Sequence, residues 1–175
     1  LHVPRLGEIV AADGFRMVAA MNPFDAVGTA RISGAVYDRV CRLAIGYQRS
    51  DEEMLIVGRR AGAAAETVGT GFVIAATEMV RAARDHPDLR TGSSVRGAID
   101  LTMLTAELVA LRNADPRDPA VTRDAAQLAL SGRVRLREGT TRTAEDIVRE
   151  LWAAVFEPAP ASDDAGKALA PIGAT

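Results

Sequence analysis

A chain of 175 residues, 48% of them apolar and with a formal net charge of −2, has the size and hydrophobic content of one globular domain or two small ones. Its near-neutral balance offers no field to draw nucleic acid or an anionic membrane surface, so neither is an expected partner. No run of about 18 uncharged apolar residues occurs, and Arg5, Glu8 and Asp13 interrupt the stretch where a signal peptide would be apolar, so the expected compartment is the cytoplasm. The lone Cys41 excludes an internal disulfide and a multi-cysteine zinc site.

The chain opens on Leu1 in the middle of a strand pattern, so its N-terminus is expected to be a cut. Residues 1–19 alternate extended segments with breaks at Pro4 to Gly7 and at Asp13-Gly14, which predicts a hairpin feeding a buried strand from Phe15 to Ala20. After Asn22-Pro23 comes a glycine-punctuated loop, a short helix from Ser33 to Arg39, and a second apolar strand from Val40 to Ile45. Ser50-x-x-Glu53 has the form of a capping box and predicts a helix to about Arg60.

Beyond that point the pattern turns helical. Helices are predicted at 67–85, 94–113, 119–130 and 143–156. The first stops before Pro87, and the second carries an apolar stripe of Val95, Ile99, Met103, Leu104, Leu108 and Leu111. Asp118-Pro119 supplies an N-cap and a first-turn proline for the third, and Thr143-x-x-Asp146 caps the fourth. Gly132 is expected to close the third helix in a left-handed conformation. Arg133 to Arg137 alternates like a short solvated strand, and Pro158 to Thr175 reads as a disordered tail.

Arginine dominates the basic residues; Lys167 is the only lysine. A Walker A loop needs GxxxxGK[ST], whose lysine neutralises phosphate charge and whose hydroxyl holds magnesium. Lys167 has neither the first glycine nor the hydroxyl beside it, so this chain has no such loop. The acidic run Asp51-Glu52-Glu53 begins a helix instead of ending an apolar strand and cannot serve as Walker B. His2 and His86 are far apart without spaced ligands nearby, so no metal site is expected.

Several segments carry a resemblance. An apolar strand ends at Asn22-Pro23; Gly28-Thr29 follows; then come Tyr37-Asp38-Arg39, Ile45-Gly46-Tyr47, an acidic helix start at Asp51, and Gly92-Ser93-Ser94-Val95-Arg96. This order and spacing resembles the C-terminal half of MoxR-type AAA+ ATPases, from sensor 1 through the helical lid, over residues 1 to about 155. The departures are Met21-Asn22-Pro23 preceded by alanine, Ala30 and Val40 in place of aromatics, Ile32 to Ala35 in place of the family's LPEA, and Val95 in place of proline.

The resemblance implies a fold: an α/β remnant of a P-loop AAA+ core, made of a hairpin, two strands and a short helix, followed by a mainly α-helical lid. The corresponding divisions are residues 1–48 for the core part, 49–60 for a connecting helix, 61–156 for the lid and 157–175 for the tail. It implies roles as well. Asn22 would be sensor 1, orienting the attacking water; Arg39 would be the arginine finger reaching a neighbouring subunit's nucleotide, with Arg31 and Arg42 as fallback candidates; and Arg96 would be sensor 2 on the lid. ATP and Mg²⁺ belong to the complete protein, with Walker A and Walker B expected before Leu1 and no nucleotide held by this segment alone. Assembly into a ring, a hexamer by resemblance, and a partner with a von Willebrand factor A domain complete the expectation. Two rivals stand beside it: a non-enzymatic helical interaction module, and a DNA-acting AAA+ remodeler.

Overall fold

The computed structural model describes residues 2–5, 7–20 and 34–157. The chain divides into two units, Leu1–Ile45 and Gly46–Thr175.

In the first unit, β1 (His2–Val3) and β2 (Gly7–Glu8) form the expected hairpin, antiparallel with His2 opposite Glu8. The positive φ of Arg5 and Gly7 turns the chain between them. The two apolar strands expected at Phe15 to Ala20 and Val40 to Ile45 do not form. Both segments are exposed coil, with Val18 95% and Ile45 85% accessible. An all-apolar strand is held by ladder bonds to neighbours and by layers covering its faces, and the described residues supply neither here. The short helix is also shorter than expected, since α1 spans only Gly34–Tyr37 and Arg39 lies in the turn after it. Asn22 and Arg31 lie outside the described residues, as does the segment from Pro158 read as a tail.

The second unit is helical. Its elements are α2 (Ser50–Ala61), α3 (Ala63–Val68), α4 (Thr70–Asp85), β3 (Leu89–Thr91), α5 (Val95–Arg112), α6 (Pro119–Leu130), β4 (Arg135–Leu136) and α7 (Ala144–Phe156). The helix expected at 67–85 is broken in two, because Gly69 at φ +83° takes a conformation that no helical residue adopts. The caps of α6 and α7 are as expected. Asp118 Oδ1 accepts from the Ala120 amide at 2.8 Å, and Thr143 and Asp146 satisfy each other's backbone amides. Gly132 does not close α6 in a left-handed conformation; the amides of Arg133 and Val134 both turn back to the Leu130 carbonyl.

One core joins these helices. It is made of Phe72, Val73, Ala76, Met79, Val80 and Ala83 of α4, Ala98 and Leu101 of α5, Ala125, Ala126, Ala129 and Leu130 of α6, and Ile147, Val148, Leu151 and Trp152 of α7. Of the expected stripe on α5, Val95, Ile99, Leu104 and Leu108 pack partly buried against the core, but the most buried face lies to one side of it. Ala98, Leu101, Thr102 and Thr105 point inward, whereas Met103 is 46% and Leu111 80% exposed. Small side chains at those positions let neighbouring helices approach, and the two threonine hydroxyls donate to the carbonyls of Ala98 and Leu101 at 2.8 Å, so their burial leaves no polar group unmet. The Trp152 indole N–H finds the Thr122 hydroxyl at 3.1 Å. The arginine-rich segment forms the expected short strand, with Arg133, Arg135 and Arg137 exposed, and it pairs antiparallel with β3, Leu89 opposite Leu136.

The segment leading into α5 is packed against its surroundings at two glycines. A Cβ on Gly92 would stand 2.5 Å from the Ala83 carbonyl oxygen, and one on Gly97 would collide with Ser93 Oγ and lie 2.7 Å from Leu130 Cδ2. Among the described residues no helix is long and apolar enough to cross a membrane. Gly97→Ala is expected to destabilise the helical unit by about 1–3 kcal/mol through overpacking, read as a lowered midpoint in urea denaturation followed by circular dichroism.

Candidate functional site

The start of α5 is fixed by a buried ion cluster. Glu53, on the inward face of α2, has no exposed side-chain surface, and it meets two arginines from α4. Arg84 donates from Nη2 to Glu53 Oε1 at 2.7 Å and from Nη1 to Oε2 at 3.1 Å, a bidentate fork. Arg81 donates to the same Oε2 at 2.7 Å and to the Gln48 carbonyl at 3.3 Å. The remaining Nε of Arg84 donates to the Ser93 carbonyl at 2.9 Å, directly before α5, and its guanidinium lies 3.8 Å over the Tyr47 ring. Burial works to raise the Glu53 carboxyl, but the guanidiniums of Arg84 and Arg81 outweigh it and hold the group below its ordinary value.

The sequence pattern pairs Glu53 with Ser50 in a capping box, and the structure corrects this. Only half of a box forms, one residue earlier: Arg49 is the N-cap, Glu52 Oε2 accepts from its amide at 3.1 Å, the Arg49 guanidinium has no acceptor to offer in return, and Glu53 is left to face inward. Helical geometry explains the shift, because Glu53, Val57 and Ala61 recur every four residues and share one buried face.

Arg96 stands in the first turn of α5, exposed to solvent. It lines an open cleft of about 450 Å³ together with Arg59 and Arg60 at the end of α2, Ile99, Asp100 and Met103 further along α5, and Arg133 after α6. Asp100 pairs with Arg133. Arg59, Arg60 and Arg96 take part in none of the ion pairs formed among the described residues. Four arginines and one aspartate line the cleft, so positive charge exceeds negative charge there by three. Ser94, the N-cap of α5, makes no side-chain capping bond, and the Gly97 amide in the first turn is taken by the Ser94 carbonyl at 2.8 Å. The arrangement suits a multiply charged anion whose oxygens a guanidinium fork can engage in pairs, as in phosphates and carboxylates.

Of the residues that the sequence marks as candidates, Arg96 is in this cleft. Arg39 belongs to the first unit, where it is exposed and its Nη1 donates to the Ala35 carbonyl at 2.5 Å. Arg42 is exposed in the coil that follows, and Asn22 lies outside the described residues. Arg59 and Arg60 carry no signal as site residues in the sequence, and Arg133 reads there as part of a solvated strand, because nothing in their spacing along the chain announces that they meet Arg96.

A second ionic cluster ties β3 to α7. His86, 8% exposed, accepts the Asp88 amide at Nδ1 (3.1 Å) and faces Glu150 with Nε2 (3.5 Å). Arg142 bridges Asp88 and Glu150 and holds the Glu150 carboxyl below its ordinary value. Among the described residues no three His, Cys, Asp or Glu side chains gather as a metal-binding group. No protein-family model matches the chain, and no curated protein or solved structure matches it.

Glu53→Gln leaves two arginines facing a neutral amide, and is expected to cost about 3 kcal/mol in urea denaturation. Because the folded carboxyl gives up its proton more readily than the unfolded one, its contribution is complete above the ordinary value of 4.5 and is lost as the pH falls through the lower folded value. The stability gap between wild type and Glu53→Gln should therefore be constant near neutrality and close on acidification below that range.

Proposed function

We propose that this chain is the sensor-and-lid half of a MoxR-type AAA+ ATPase, which couples ATP hydrolysis to remodelling or activating a partner protein. The observation that carries the reading is Arg96, an exposed arginine without an ion pair, in the first turn of an 18-residue helix whose entry is tied down by the Glu53–Arg84–Ser93 chain. A cation is electrostatically disfavoured at a helix N-terminus, so a structural role gives little reason for its place. The sequence order from Asn22-Pro23 through Arg39 to Arg96 supports the same reading.

In this reading Arg96 donates to nucleotide phosphate and links bound nucleotide to the position of the helical unit. Asn22 holds the attacking water, and Arg39 reaches the nucleotide of a neighbouring subunit, neutralising charge that develops in phosphoryl transfer. Such a finger demands a ring or similar assembly, a hexamer by resemblance. Mg²⁺ would neutralise phosphate charge and is held by Walker motifs that the reading requires before Leu1. A protein with a von Willebrand factor A domain is the proposed partner. A second reading, a helical interaction module without ATPase activity, is favoured by exposed Met103 and Leu128, which line a hollow on α5 and α6.

In the complete protein, Arg39→Ala is expected to lower turnover by about 10³-fold, and mixing it with a P-loop variant should restore part of the activity, since each supplies what the other lacks. Absence of rescue would falsify the trans role of Arg39. Arg96→Ala should lower ATP turnover while leaving the circular dichroism spectrum unchanged; undiminished turnover sinks the sensor 2 assignment. A coding sequence before Leu1 without GxxxxGK[ST] removes the ATPase reading and leaves the interaction module.

A further inference from the structure

We infer that the cleft between α2 and α5 binds a polyphosphate group, with Arg59 and Arg60 as binding residues beside Arg96. This deepens the proposed function and rests on it for Arg96 alone, because the contribution of α2 stands on its own geometry.

Seven of the fifteen arginines in the helical unit form ion pairs, among them those of its interior. Arg81 and Arg84 hold Glu53, Arg112 holds Asp124, Arg133 holds Asp100 and Arg142 bridges Asp88 with Glu150. Arg59, Arg60 and Arg96 form none of these pairs, yet they come from two separate helices to line one cleft. The end of α2 is a favourable place for a cation by itself, because the helix dipole is negative there. That accounts for Arg59 and Arg60 singly, but it gives no reason for the first turn of another helix to add a third guanidinium to the same cleft.

Three like charges facing one open volume repel each other, and an anion relieves that repulsion. Asp100 engages Arg133 at the cleft wall, which leaves the excess positive charge on the other three. A volume of about 450 Å³ admits a di- or triphosphate with room to spare, and several guanidinium groups can each take a separate phosphate oxygen pair. The cleft wall also offers Ile99 and Met103, apolar surface against which a nucleobase can rest. Inorganic triphosphate and a nucleoside triphosphate share the chemistry recognised.

The test is calorimetric titration of the 175-residue chain with sodium triphosphate and, separately, with ATP, at low ionic strength. In contrast to the expectation from the resemblance that this segment alone holds no nucleotide, both ligands are expected to saturate one site, and the Arg59→Gln/Arg60→Gln double variant is expected to weaken both by about tenfold or more, with affinity falling as salt rises. A charge-matched control, Arg117→Gln/Arg137→Gln, alters two arginines outside the cleft lining and should bind as wild type does. Unchanged circular dichroism spectra check that every variant folds. The inference is overturned if wild type binds neither ligand, if it binds ATP but not triphosphate, or if the α2 double variant binds like wild type.

Arg96→Gln separates this inference from the reading beneath it. Normal triphosphate binding by Arg96→Gln with loss in the α2 double variant keeps the α2 site and removes the phosphate contact of Arg96. The reverse pattern keeps Arg96 and overturns the α2 site.

Discussion

The helical unit depends on the burial of one carboxylate. Glu53 has no exposed side-chain surface, and a charge so placed is costly unless its oxygens are engaged by cations in good geometry. Arg84 meets both oxygens and Arg81 meets one, so the negative charge is shared across three bonds. Each arginine then uses a further N–H elsewhere. Arg81 reaches the Gln48 carbonyl ahead of α2, and Arg84 reaches the Ser93 carbonyl ahead of α5. One buried charge thus sets where two helices begin. It selects this arrangement over others because any displacement of α2 along α4 would leave ions buried without partners.

The exposed Arg96 inherits its position from that interior. Two residues before it, Ser94 opens α5; three residues before, the Ser93 carbonyl is bound by Arg84. Gly97 lies against Ser93 and Leu130 with no space for a side chain. The first turn of α5 is therefore held from both sides, by a hydrogen bond and by close packing, while the arginine side chain itself is left in solvent. A rigid backbone beneath a solvent-facing cation is what an anion site requires, because little ordering remains to be done when the ligand arrives.

The parts of the fold carried by local chemistry were legible in the sequence. Asp118-Pro119 and Thr143-x-x-Asp146 mark helix starts because their side chains bond to amides only two or three residues away. The parts that depend on distant partners were not. Glu53 reads as a capping residue until α4 brings Arg81 and Arg84 to it. Leu89–Thr91 is too short to show a period, and it becomes a strand only because Arg135–Leu136 lies beside it. The apolar runs at Phe15 to Ala20 and Val40 to Ile45 read as strands by composition, yet strands are made by neighbours, and among the described residues these segments have none.

Sequence alone determined where α6 and α7 begin and what caps them, the absence of a Walker A lysine from this chain, and the presence of an arginine in the first turn of the helix after Gly92-Ser93-Ser94. These follow from contacts within a few residues, or from composition. Tertiary structure decided which face of α5 is buried, that Glu53 is an interior ion rather than a cap, and that Arg59 and Arg60 share a cleft with Arg96. The reason is the range of the forces involved. Capping is satisfied locally, whereas the desolvation of a charge and the meeting of like charges in a cleft are fixed only when helices far apart in the chain pack against one another.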